Sequence, residues 1–359
     1  MENFKTNPFS GVITDEEFDS VVDNYRGLNN PLYFLFGKDE AKFVKEFRDE
    51  ILSITTEAIS MIKSEDIKFI SSLKGRLLDR ISYDGPESSL GEIRTYSSLL
   101  KIFGDNVKLR VPKKNQPTSD FEVCLKKRKI IIEVNSPQPD VTLIQTGKLK
   151  WVKEVSNEVY KLNDRKALKC NVTSRAPFGR ERCKNLYENA IHKLTQIKQG
   201  DKQSESNSYS ILWVDLFDEY LSIISNTGTF SKPLLVKMNA GDEIVSTNIL
   251  WYSIYGKKSL PIYDSKPVYD RTTAIMAHNG KFAIDNFSKW DMVIYTSPLN
   301  TVVYQNPFSS KKPPLYLINK IKKLSRFNKK MSRYSISNKH LKRVLRKDYK
   351  FIEKVRDKH

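Results

Sequence analysis

The sequence predicts an α/β fold, and three observations carry that prediction. Phe43, Phe47, Ile51, Ile54, Ala58 and Ile62 recur every three or four positions, the apolar stripe of a long amphipathic helix. Two short apolar runs, Lys129–Asn135 around Ile130, Ile131 and Ile132, and Tyr209–Leu216, read as buried strands. Polar punctuation at Asp84-Gly85-Pro86 and at residues 200–208, GDKQSESNS, separates helical from extended patterns.

Residues 1–36 read as irregular, with Pro8 and Asn29-Asn30-Pro31 as turn signals. The first helix covers residues 38–64 and a second covers 67–81. Ser88 and Ser89 cap the next helix, placing Gly91 and Glu92 in its first turn. Its buried face is Leu90, Ile93, Tyr96, Leu99, Leu100 and Phe103, and Gly104 ends it. A short strand at 107–111 precedes the polar loop 112–119. Two strands follow, joined by the basic turn Lys126-Lys127-Arg128. A helix is expected at 151–162, and a clearer one at 180–198. In the latter, Cys183, Leu186, Tyr187, Ala190, Ile191, Leu194 and Ile197 share one stripe. After the strand 209–216 come expected strands at 281–284, 291–296 and 301–305, the last two paired across residues 297–300. His278–Phe282, HNGKF, reads as a turn.

The 359 residues can bury a full core. With 39% hydrophobic and 29% charged residues the composition is that of a globular protein, and no apolar run reaches the roughly 18 residues of a membrane span. The N-terminus does not pattern as a secretory leader. Three widely spaced cysteines argue against a disulfide framework or a zinc site and for a reduced, cytoplasmic setting. The four histidines are scattered and no phosphate-cradling glycine loop is present, which disfavours a nucleotide site.

The net charge of +19 is concentrated. Residues 311–359 carry eighteen Lys and Arg against three acids, so this extension supplies fifteen of those charges. Such a segment attracts phosphate backbones, and the alternative is a solubilising tail. Tyr316, Phe327, Tyr334, Tyr349 and Phe351 lie within it and suit packing or base contact. Leu341, Val344, Leu345, Phe351, Ile352 and Val355 make its end helical. The expected nucleic-acid contacts are Lys322, Lys323, Lys329, Lys330, Arg333, Lys342, Arg343, Arg346 and Lys347.

The chemistry centres on SDFEVCLKKRKIIIEVNSP, residues 119–137. Alternation puts Lys129, Ile131, Glu133 and Asn135 on one face of their strand. A tight hairpin sets Asp120 beside Glu133 at its open end. A carboxylate on so apolar a strand requires a positive partner, an arginine, a lysine or a metal ion. Mg²⁺ suits an all-oxygen pair and activates water against phosphodiesters. Each residue also has a plainer reading: Asp120 starting a turn, Glu133 paired with Lys129 or an arginine, Glu92 favouring the helix dipole, Lys193 a solvated flank.

The order helix with Glu92, strand, strand from Asp120, strand ending Glu133-Val134-Asn135, helix, strand resembles the core of the PD-(D/E)xK nuclease superfamily. The resemblance spans roughly residues 88–216, about a third of the chain. It implies a restriction-endonuclease-like αβββαβ core with a mixed central sheet, N-terminal helices, and a basic, partly helical C-terminal extension. It also implies Mg²⁺ or Mn²⁺ held by Asp120 and Glu133, with Glu92 as an auxiliary ligand, and hydrolysis of nucleic acid. The chain then divides into a helical region 1–87, a nuclease-like domain 88–310 and the extension 311–359.

Two positions depart from the family. Its proline is Ser119, and its lysine, which polarises the attacking water, is Asn135. Neutral Asn135 cannot stabilise negative charge; Lys193 is the candidate replacement and Lys129 a weaker one. The function expected is a DNA endonuclease of restriction or defence type, possible as a homodimer and without membrane association. The alternative is a decayed nuclease scaffold that binds nucleic acid, and a more distant one is a scaffold whose basic tail holds an acidic protein.

Overall fold

The computed structural model describes residues 6–22, 30–37, 45–80, 84–110, 119–125, 128–137, 156–162, 165–171, 194–195, 208–217, 233–237, 243–262, 274–283, 288–335 and 338–357. The described architecture is α/β, a mixed six-stranded open sheet with helices. In chain order the sheet uses β1 (Val107–Leu109), β2 (Phe121–Cys124), β3 (Lys129–Asn135), β6 (Ser208–Asp215), β11 (Met292–Thr296) and β12 (Thr301–Gln305), lying side by side in that order. β1, β2 and β3 form an antiparallel meander. β6 runs parallel to β3 and β11 parallel to β6, and β12 returns antiparallel.

Three two-stranded ribbons accompany the sheet: β4 (Ser156–Leu162) with β5 (Arg165–Asn171), β7 (Leu234–Lys237) with β8 (Glu243–Ser246), and β9 (Pro261–Ile262) with β10 (Ala274–Ile275). Over the described residues 156–162 the first ribbon replaces the helix expected at 151–162. Its register pairs Leu162 with Arg165. The strand expected at 281–284 is also corrected, because Lys281 and Phe282 form a turn.

The N-terminal region holds α1 (Asp15–Val22) and α2 (Pro31–Phe36), where an irregular segment was expected. Their signals are local. Thr14 and Glu17 form a reciprocal capping box, Glu17 N–H to Thr14 Oγ1 at 3.2 Å and Thr14 N–H to Glu17 Oε2 at 2.9 Å. Asn30 caps α2 through the Leu32 N–H, with Pro31 in the first turn where its missing N–H costs nothing. Helices α3 (Lys45–Glu65) and α4 (Ile67–Leu77) follow.

Helix α5 (Asp84–Phe103) starts at the residues expected to break the chain. Pro86 is tolerated because it lies in the first turn. Ser89 therefore sits inside the helix, its Oγ bonded to Gly85 O at 2.8 Å, and Gly91 and Glu92 lie beyond the first turn. Gly104, at φ +57°, ends α5 in the left-handed conformation that glycine adopts freely.

Two cores flank the sheet. The first joins α1–α5 to Phe121, Val123, Ile130, Ile132, Val134, Ile211, Trp213 and Ile294. The second joins Leu212, Val214, Val293, Tyr295, Val302 and Tyr304 to α6 (Ile249–Tyr255) and α8 (Asn338–Arg356). On the first side, α7 (Leu315–Ile321) sends Leu317, Ile318 and Ile321 into the first core. Residues expected as strand alternate between the cores with period two, which fixes the register. No helix among the described residues is long and apolar enough to cross a membrane.

Candidate functional site

The β2–β3 hairpin closes through Leu125 N–H on Arg128 O at 2.9 Å and pairs Phe121 with Ile132. That register sets Asp120 opposite Glu133, as the sequence spacing expected. Asp120 lies just outside β2. Its carbonyl takes the Arg110 N–H at 3.1 Å, and its carboxylate Oδ2 takes the Val134 N–H at 2.7 Å. The aspartate side chain thus satisfies a strand N–H where β2 stops supplying carbonyls.

Cross-strand pairing decides the face. Glu133 lies in a row with Leu212 and Val293, and Asn135 in a row with Val214 and Tyr295. Those apolar residues belong to the second core, so Glu133 and Asn135 face it. Glu133 is 3% exposed. Lys129 pairs with Glu122 at 2.9 Å.

Glu92 lies on α5, where Arg76 grips it with two hydrogen bonds of 2.8 and 2.9 Å. The Arg76 guanidinium is held above its ordinary pKa, first by the Glu92 hydrogen bond and more weakly by the charges of Glu92 and Asp120. Asp120, Arg76 and Glu92 therefore share one electrostatic neighbourhood at the open end of the hairpin. Arg76 was not singled out from sequence, since nothing local marks a helix-end arginine as site-facing. Lys193 lies outside the described residues.

The opposed pair Asp120 and Glu133 is an all-oxygen donor set of the kind a hard divalent ion takes, with water completing the shell. Glu92, already held by Arg76, is not placed as a third ligand. Among the described residues no cluster of three or more His, Cys, Asp or Glu is gathered for a metal ion.

Two buried cations escaped the sequence reading. Arg94 on α5 binds Asp215, the last residue of β6, through Nε at 3.0 Å and Nη2 at 2.8 Å. Nη2 also bonds Glu87 at 2.8 Å, Nη1 reaches Thr55 Oγ1 at 3.3 Å, and the guanidinium lies 4.5 Å from the Phe217 ring centre. This network locks α5 across the ends of β3 and β6. The approach is so close at Gly91 that a Cβ there would lie 1.9 Å from Ser136 Oγ. Lys281 is on the other face, 1% exposed, with Nζ 3.4 Å from Thr195 O. Its N–H bonds Ser253 O at 3.0 Å, and Ser253 Oγ meets Tyr295 OH at 3.0 Å. Loss of hydration pulls its pKa down to about 7.

The basic residues are mostly exposed. Lys322 and Lys323 follow α7, and Lys329 and Lys330 precede a short 3₁₀ turn. Arg333 is half-buried, its guanidinium 4.8 Å from the Tyr334 ring centre. Lys342, Arg343, Arg346 and Lys347 lie on the outer face of α8, while Leu341, Leu345, Tyr349, Ile352 and Val355 are buried in the second core. Of the aromatic residues expected to pack or meet bases, Tyr334 and Tyr349 are buried, Phe327 and Phe351 half-buried, and Tyr316 exposed.

Comparison with protein-family models, with curated proteins and with solved structures finds no match.

Proposed function

We propose that the protein is a metal-dependent nuclease that hydrolyses nucleic-acid phosphodiester bonds, with DNA as the favoured substrate and restriction or defence as the setting. The observation that carries this reading is Asp120 facing Glu133 across β2 and β3. The sequence α5, β1, β2, β3 and parallel β6 around that pair agrees with the nuclease resemblance. Asp120 and Glu133 would hold Mg²⁺ or Mn²⁺, which supplies Lewis acidity and an activated water. Arg76, partly exposed beside Asp120, would meet the phosphate. Asn135 can orient the attacking water by hydrogen bonding but carries no charge. The missing ammonium would come from Lys193.

A second reading is a nucleic-acid-binding protein on a decayed nuclease scaffold. Asn135 and the capture of Glu92 by Arg76 favour it. One experiment separates the two: wild type, Asp120→Asn and Glu133→Ala are incubated with mixed single- and double-stranded DNA and RNA, in Mg²⁺, in Mn²⁺ and in EDTA. Metal-dependent cutting lost in both variants supports the nuclease. Salt-sensitive binding by all three proteins, without cutting, supports the decayed scaffold.

A further inference from the structure

The segment after β12 does not leave the sheet. Asn306 N–H bonds Asp291 O at 3.0 Å, Ser309 Oγ bonds the Asp291 carboxylate, and Lys311 Nζ bonds Ser208 O at 2.7 Å. Residues 306–311 are thereby laid across the starts of β11 and β6. Ser208 is four residues before Leu212, the partner of Glu133, so this rim lies about 13 Å along the strands from the carboxylate pair.

Eight large apolar side chains are exposed among the described residues, and three of them, Phe308, Leu315 and Tyr316, fall in this short stretch. A nine-residue cluster of that kind marks an interaction surface more than chance exposure does. Both aromatic rings carry a lysine: Lys342 Nζ lies 5.1 Å from the Phe308 ring centre, and Lys320 Nζ 5.6 Å from that of Tyr316. Lys312 is exposed between them. The repeated unit is an exposed ring with an ammonium over one face, and the anchored backbone presents it without further ordering cost.

We propose that this rim binds unpaired nucleotides, with Phe308 and Tyr316 stacking on bases and Lys312, Lys320 and Lys342 taking the adjoining phosphates. A single strand offers a π-face and an anion at each step, whereas a duplex hides its base faces and can engage only the lysines. The inference rests on the reading of nucleic acid as the partner, and it does not require cleavage.

The test is fluorescence anisotropy of the full chain in EDTA. The probes are labelled oligothymidylate of about 12 nucleotides, within the span of known single-strand sites, and a blunt duplex of equal length. Heparin is the competitor that carries charge without bases. The expected result is tighter binding of the single strand. Phe308→Ala and Tyr316→Ala should each weaken it by about 5- to 100-fold, while Tyr316→Phe stays near wild type and duplex binding is unmoved. Equal affinity for the two probes would overturn the proposal, as would Ala variants that bind like wild type or a Tyr316→Phe loss as large as that of Tyr316→Ala. Because metal is absent, failure here leaves the cleavage reading to its own assay, and absence of cleavage leaves this result standing.

Discussion

On one face of the central sheet the buried cation is Arg94, and on the other it is Lys281. Arg94 sits between Asp215 and Glu87, whose charges hold its guanidinium above its ordinary pKa against the loss of hydration. Lys281 has its Nζ 3.4 Å from the Thr195 carbonyl, and burial brings its ammonium to a pKa of about 7. The side chains themselves explain the contrast. A guanidinium cannot shed its proton in a protein, so it must be paired, whereas a lysine can give up its charge. The first face is keyed by ionic pairs. The second is keyed by hydroxyls, such as Tyr255 OH on Gln305 O at 2.8 Å and Trp251 Nε1 donating to Tyr334 OH at 3.1 Å.

The largest expected effects come from exchanging these solutions. Lys281→Arg places a cation that stays charged where the lysine can give up its proton. Arg94→Ala leaves two buried carboxylates without their cation. Each should cost about 3–5 kcal/mol by urea unfolding, Arg94→Ala at neutral pH and Lys281→Arg at about pH 10, where the wild-type lysine has shed its proton. Retention of wild-type stability by either variant would break the comparison.

A smaller effect should appear as a pH slope. The folded pKa of Lys281, near 7, lies below the ordinary 10.5, so between those values the unfolded chain binds the extra proton. Stability should therefore rise with pH across that window, by at most about 1.4 kcal/mol per unit, and be lost as pH falls toward 7. Lys281→Met should flatten the slope and raise stability at pH 7. Tyr334→Phe should cost about 1–2 kcal/mol in thermal unfolding, because it removes the hydroxyl that accepts from Trp251 Nε1 and donates to the Asp348 carboxylate. The smallest change belongs to Glu92→Gln. Its partner Arg76 is 46% exposed, so folding stability should move by less than about 1 kcal/mol. A larger drop would show the Glu92–Arg76 pair to be a structural strut.

Legibility in the sequence followed the range of the interaction. The strands β3, β6, β11 and β12 were readable because a buried strand leaves a compact apolar run. The opposition of Asp120 and Glu133 was readable because a short hairpin converts spacing into register. Thr14 with Glu17 and Asn30 with Pro31 also carried legible caps, yet turn signals nearby outweighed them. The Arg94–Asp215 pair was not legible, since its partners lie 121 residues apart and each looks like an ordinary charge. Lys281 was hidden for the same reason: its burial is made by α6 and by Thr195, far off in the chain.

The place of α8 has a consequence for synthesis. Trp251 and Tyr255 pack against Tyr349, which follows them in the chain by about 100 residues. A ribosome adding about 5–20 residues per second needs some 5–20 s to cover that distance. Throughout that interval α6 and the tyrosine-rich side of the sheet have no α8 to cover them. The nascent protein should therefore pass through a state that attracts chaperones, and translation pauses before Leu341 should prolong it.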